Sequence, residues 1–126
     1  MVICHKTREK ANVVGSITAI GDVEDKNVII VDDMIDTAGT LCKAAEVLKS
    51  KGARSVRACC THGVLSGQAI ERIHNSCLEE LFITDTVPHP ELENDSKVRI
   101  VSMAEVFANI IHKVYNYEPI STEFVR

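Results

Sequence analysis

This 126-residue chain has no basic run, no C-x-x-C pair and no long apolar stretch. Each absence removes a class of function. With Lys and Arg scattered, a net charge of -4 and a pI near 5.7, a nucleic-acid-binding surface is not expected. Crossing a bilayer takes roughly 20 consecutive apolar residues, so no membrane partner is expected either. No leader peptide is recognisable at the start. The cysteines, Cys4, Cys42, Cys59, Cys60 and Cys77, are five, an odd number. A disulfide framework or zinc knuckle is therefore disfavoured. Adjacent residues of a strand point to opposite faces, so Cys59 and Cys60 cannot share a partner on one side. Buried free thiols in a reducing cytoplasm are the expectation. His5, His74, His89 and His112 have no metal-ligand spacing, and no metal ligands are expected on this chain. Neither a Walker A loop nor G-x-G-x-x-G is present, and neither internal repeats nor low-complexity tracts occur.

What is present is ordinary for one globular domain: 45% hydrophobic and 25% charged residues. Val28-Ile29-Ile30-Val31 is a short β-branched run, expected as a strand buried on both faces and ending at Asp32-Asp33. A turn-rich stretch follows. Then Leu41, Ala44, Ala45 and Leu48 fall at helical spacing, with Lys49, Lys51 and Gly52 to end the helix. Val56, Ala58 and Cys60 alternate as a second strand. Ser66-Gly67 opens a short helix carrying Ile70 and Ile73. Leu81-Phe82-Ile83 and Val98 to Val101 complete the strands. Ser102 and Glu105 have capping-box spacing before a stripe of Met103, Val106, Phe107, Ile110, Ile111 and Val114. Residues 84–97 are expected as a surface loop. Tyr115 and Tyr117 are expected to pack the tail, 116–126. Strands alternating with helices imply an α/β domain with a mostly parallel sheet flanked by helices. The start, Met1 to Cys4 and then a charged stretch, suits either a natural domain start or an entry into the middle of a larger fold.

The chemistry is concentrated in Val31-Asp32-Asp33-Met34-Ile35-Asp36-Thr37-Ala38-Gly39-Thr40. A helix N-terminus offers backbone N–H groups without intrahelical partners and a dipole that favours an anion. Gly39 permits close approach, and Thr37 and Thr40 add hydroxyls. Asp32 and Asp33 cannot bind a phosphate, but they can accept hydrogen bonds from sugar hydroxyls or help hold a hydrated magnesium ion. The combination suits a sugar phosphate better than a bare one. His62 and Gly63, at a strand end nearby, either meet a ligand or turn the chain. His5 to Lys10 is, on its own, an ordinary solvated charged run.

VDDMIDTAGT resembles the phosphoribosyl pyrophosphate motif of type I phosphoribosyltransferase folds. With its flanks, GDVEDKNVIIVDDMIDTAGTLCKAAEVLKSKGA, then THGVLSGQAIERI and a tail ending IS-x-x-F, the chain resembles the ribose-phosphate pyrophosphokinases from about Ile3 to Phe124. The resemblance implies transfer of the β,γ-diphosphate of ATP to ribose 5-phosphate, with Mg2+ held mainly by the substrates and by an N-terminal half that this chain lacks. It implies that Asp36, Thr37, Ala38, Gly39 and Thr40 hold the 5-phosphate and that Asp32 and Asp33 face the ribose. Lys6 matches a catalytic lysine and Arg8 a substrate-binding arginine, both on a mobile loop over residues 1–11. Positive charge of this kind stabilises the transferring group.

The same resemblance makes residues 1–126 one C-terminal domain, inactive by itself. The complete enzyme is then a homo-oligomer, commonly a hexamer. Ser121 and Phe124 match a regulatory anion site in the tail, where Pro119 replaces a second serine and removes two donors. Two other classes share the loop: phosphoribosyltransferases, against which Lys6, Arg8 and THGVLSG argue, and non-catalytic regulatory subunits, whose loop is usually altered where D-T-A-G-T here is intact.

Overall fold

The computed structural model describes residues 3–6 and 17–123, with side chains over 21–122. Strands β1 (Ile3–Lys6) and β2 (Ile17–Ile20) pair antiparallel. Strand β3 (Asn27–Ile35), helix α1 (Gly39–Ser50), strand β4 (Ser55–Gly63), helix α2 (Ala69–Asn75) and strand β5 (Leu81–Thr84) follow. A 3-10 turn at Pro90–Leu92, strand β6 (Val98–Val101), helix α3 (Ala104–Tyr115) and a turn at Ser121–Glu123 complete the chain. Strands β3-β4-β5-β6 form one sheet in that order, and every neighbouring pair is parallel. The expected α/β class is what the chain adopts.

The periodicities explain the core. Leu41, Ala44, Ala45 and Leu48 lie on one side of α1 and are all buried, as the helical spacing requires. Leu41, Ala45 and Leu48 share one cluster with Val56, Ala58 and Cys60 of β4, Ile73 of α2 and Leu81 and Ile83 of β5. Burying each of the larger side chains contributes roughly 1.5–3 kcal/mol. Gly52 closes α1 at φ 88, a conformation that favours glycine. Cys60 is buried and its neighbour Cys59 half-buried, so the two do take opposite faces; Cys42 is buried and Cys77 half-buried, and all four are free thiols. The expectation of wholly buried thiols therefore holds for two of them.

The sheet departs from expectation at β3. Val28 and Ile30 pack on the core, but Ile29 is 65% and Val31 77% exposed. Among the described residues β3 is an edge strand covered on one face only, not a strand buried on both. The run of four β-branched residues could not distinguish these cases, because a strand with one open face can be equally apolar. The strand also continues through the acidic pair: Asp32 pairs with Cys60 and Met34 with His62. A parallel sheet is normally covered on both faces. Here the second face, carrying Ile29 and Val31, is open among the described residues.

The apolar stripe of α3 is likewise largely uncovered among the described residues, with Met103 and Ile110 half-buried. No residue of α3 is buried; Phe107 is 53% and Ile111 66% exposed. Tyr115 and Tyr117 are exposed, contrary to the expected packing role. Nor does a capping box form. The Ser102 hydroxyl donates to Asp85, Asp85 accepts the Met103 N–H at 2.8 Å, and the Ala104 N–H reaches the Ser102 hydroxyl at 3.3 Å. A carboxylate from the preceding loop thus does the work expected of Glu105. That loop, 85–97, is anchored by buried Leu92 and by Asp95, which accepts the N–H groups of Lys97 and Val98.

Candidate functional site

The carboxyl end of β3 runs directly into the loop and α1, so Asp32 to Thr40 form one continuous strand–loop–helix corner. Asp32, Asp33, Asp36, Thr37 and Thr40 are exposed, and Gly39 is half-exposed. Ala38 is the exception. It is 4% exposed and sits in the left-handed region at φ 58, ψ 0. An alanine there is strained by roughly 1–2 kcal/mol. Its methyl packs in the core cluster, which locks the turn that starts the helix. No side chain caps that helix start, and the Ala38 carbonyl accepts the first helical bond, from the Cys42 N–H at 3.0 Å. The first turn therefore presents backbone donors and the positive end of the dipole at the loop.

Space at the loop agrees. A Cβ on Gly39 would meet only the Thr37 hydroxyl, at 3.9 Å, so nothing in the fold itself demands glycine there. Gly63 is the opposite case. A Cβ on it would lie 3.0 Å from Ile83 Cγ2 and 3.1 Å from Cδ1, so this glycine lets β4 and β5 close beside the site.

The connection between β4 and α2 supports the loop. Val64 and Leu65 donate their N–H groups to the Ile35 carbonyl at 2.9 and 3.1 Å, and Ser66 donates to the Asp36 carbonyl at 3.1 Å. The Ser66 hydroxyl also donates to the Asp36 carboxylate. Arg72 of α2 donates through Nη1 to the Thr37 carbonyl at 2.8 Å. THGVLSG is thus partly a brace, with Leu65 and Gly67 in the left-handed region at φ 51 and 59. Arg72 was not foreseen. Its signal was the arginine in the quoted ERI, which helical spacing alone reads as a solvated surface position.

His62 sits at the same end of the sheet, and its Nδ1 lies 3.0 Å from the Thr86 hydroxyl. His89 places its imidazole between the Gly63 carbonyl at 2.6 Å and Glu91 at 2.7 Å. Burial alone would lower its pKa, but the Glu91 carboxylate and the Gly63 carbonyl together hold it above the usual histidine value. Burial pushes the Cys60 thiol up to about 11, partly opposed by a backbone hydrogen bond at Ile35 and reinforced by the charges of Asp32 and Asp33. Asp85, hydrogen-bonded to Ser102 and Met103, is held below the usual carboxylate value.

The other expected site residues are not brought to this corner by anything described. The backbone of Lys6 is the last residue of β1, a strand rather than a loop, and Arg8 and Phe124 lie outside the described residues. Ser121 opens the short 3-10 turn after α3 and is exposed. Among the described residues no three His, Cys, Asp or Glu side chains are grouped as metal ligands.

The family model described as the phosphoribosyl synthetase-associated domain matches residues 4–125. A ribose-phosphate pyrophosphokinase of Campylobacter jejuni is 54% identical over 126 residues, covering 99% of this chain and 40% of the relative. One from Clostridium perfringens is 51% identical over 124 residues, covering 98% of this chain and 39% of the relative. Among solved structures, the phosphoribosylpyrophosphate synthetase of Mycobacterium smegmatis superposes with a TM-score of 0.80 at 36% identity, covering 92% of this chain and 37% of that one. The chain spans about 40% of the length of the curated relatives it matches.

Proposed function

Because the chain belongs to the phosphoribosyl synthetase-associated domain family, we propose that it is the C-terminal half of a ribose-phosphate diphosphokinase, the half that holds ribose 5-phosphate. The complete enzyme moves the β,γ-diphosphate of ATP to the anomeric hydroxyl of the sugar and releases AMP. The observation that carries this reading is the corner from Asp32 to Thr40, with its buried left-handed Ala38 and its helix start left without a side-chain cap.

Each residue has a distinct task. The backbone N–H groups of Thr37 to Thr40 and the hydroxyls of Thr37 and Thr40 bind the 5-phosphate. Asp36 contributes through its backbone, since its carboxylate is engaged by Ser66 and would repel the anion. Asp32 and Asp33 accept hydrogen bonds from the ribose hydroxyls. Lys6 adds a point charge and Arg8 a planar fork where negative charge develops on the diphosphate, and one such interaction is typically worth about 3–4 kcal/mol of barrier. Magnesium bound with the substrates supplies further charge neutralisation.

The open second face of the sheet and the uncovered stripe of α3 support the view that this chain is one part of a longer, oligomeric protein. The isolated chain is then inactive. In the tail, Pro119 supplies no hydroxyl and no N–H, so anion control through Ser121 and Phe124 is weaker than in relatives with two serines. The test is AMP formation from ATP and ribose 5-phosphate. The chain alone should form none. Substituted for the matching segment of the Campylobacter jejuni relative, it should support turnover, and Lys6→Ala in that chimera should reduce the rate about 100-fold or more. A folded chimera that forms no AMP, or that consumes phosphoribosyl pyrophosphate only with a free base, would refute the reading.

A further inference from the structure

The strained turn at Ala38 needs an external brace. A non-glycine residue at φ 58 persists only where its surroundings over-determine it. Two successive carbonyls of the loop, those of Asp36 and Thr37, are both taken by groups from the β4–α2 side. The Ser66 N–H meets the first at 3.1 Å and the Arg72 guanidinium the second at 2.8 Å. In a trans peptide the C=O and the following N–H point in opposite directions. Fixing the Asp36 carbonyl therefore turns the Thr37 N–H away from Ser66, and fixing the Thr37 carbonyl turns the Ala38 N–H away from Arg72. Successive N–H groups aligned in this way make an anion-binding concavity. Were the peptide between Thr37 and Ala38 to flip, it would present a carbonyl oxygen in place of a donor.

We propose that Arg72, assisted by Ser66, is a positioning residue for the phosphate loop: it holds the Thr37 carbonyl so that the Ala38 N–H faces the 5-phosphate. Arg72 does not touch the ligand; it acts through the peptide. The inference rests on residues 36–40 being the phosphate cradle. Arg72 is exposed, and its removal leaves the core cluster untouched. Lysine keeps one charged donor for the carbonyl but loses the planar fork, and glutamine keeps a neutral donor.

The full 126-residue chain, labelled with 15N, is titrated with ribose 5-phosphate, and the scalar coupling that reports φ at Ala38 is measured without ligand. Arg72→Ala should weaken binding about fivefold to tenfold, the effect of one lost charge-assisted hydrogen bond at an exposed site. It should shift the Ala38 coupling and lower the urea midpoint by no more than one exposed hydrogen bond is worth. Arg72→Lys should recover part of both the affinity and the coupling. Unchanged affinity in Arg72→Ala, with the wild-type chain binding, overturns the proposal. So does a loss of affinity that tracks a fall in the urea midpoint and leaves the Ala38 coupling as in wild type. If the wild-type chain itself does not bind, the cradle reading fails, and the Ala38 coupling alone then decides. A shift in Arg72→Ala sustains the brace, and no shift removes it.

Discussion

Gly63→Ala and Gly39→Ala separate what the fold requires from what the ligand requires. At Gly63 the new Cβ meets three carbons of Ile83, at 3.0, 3.1 and 3.2 Å. Favourable carbon contacts lie near 3.5–4.0 Å. The closest neighbours include the Cβ of Ile83, which is fixed to the backbone, and its β-branched side chain has few alternative rotamers. Ile83 is itself fully buried, so it has nowhere to move. Overpacking of this kind costs about 1–3 kcal/mol. Restricting the unfolded chain returns about 0.4–1 kcal/mol. The net loss is roughly 0.5–2 kcal/mol, a fall in Tm of roughly 2–10 °C for a chain of this size. At Gly39 the only neighbour is at 3.9 Å and the backbone is not left-handed, so alanine should be neutral or slightly stabilising. On the proposed reading that residues 36–40 hold the phosphate, Gly39→Ala should nevertheless weaken ribose 5-phosphate binding, because the added methyl would occupy the open side of the loop. Differential scanning calorimetry gives both stabilities, and titration calorimetry gives the affinity. A Gly63→Ala protein as stable as wild type, or a Gly39→Ala protein that loses stability, refutes the reasoning.

His89 has a folded pKa above its unfolded value, so the stability it adds is present below about 6.5 and is lost as pH rises through the folded pKa. The Tm difference between wild type and His89→Gln should therefore shrink as pH is raised from about 6 to 8, and an NMR titration should place the His89 midpoint above 6.5. With its thiol pushed up to about 11, Cys60 should resist a disulfide reagent at pH 8 in the native chain and react once urea unfolds it. On α3, Phe107→Glu and Ile111→Glu should leave the urea midpoint of the isolated chain unchanged, because neither side chain is buried. In the Campylobacter jejuni chimera the same changes should lower the yield of assembled enzyme in gel filtration; equal yields would mean that the stripe covers nothing.

Much of the fold was legible because its signals are local. The spacing of Leu41, Ala44, Ala45 and Leu48 defines the buried side of α1, and the turn residues from Asp36 to Gly39 mark where β3 gives way to the helix. What failed was everything that depends on a neighbour. Ile29 and Val31 are as apolar as any buried strand, and nothing in the residues tells whether the second layer is part of the same chain. The capping-box spacing of Ser102 and Glu105 was real, but Asp85, 17 residues earlier, took the Ser102 hydroxyl. The strand–loop–helix corner of the candidate site was readable for the same local reason, because its residues are contiguous. Its brace was not, because Arg72 reaches Thr37 across 35 residues of sequence, and one arginine on a short helix has no periodicity to betray it.

The central claim is that residues 36–40 hold the phosphate of a sugar phosphate. The most direct measurement is a two-dimensional 15N NMR titration of the intact chain with ribose 5-phosphate, with ribose alone and inorganic phosphate as comparisons. The account predicts saturable shifts at millimolar ligand, largest at the amides of Thr37, Ala38, Gly39 and Thr40. Phosphate should reproduce them more weakly, and ribose should not. Shifts confined to other residues, or no response at Thr37 to Thr40 from a folded chain, would contradict it.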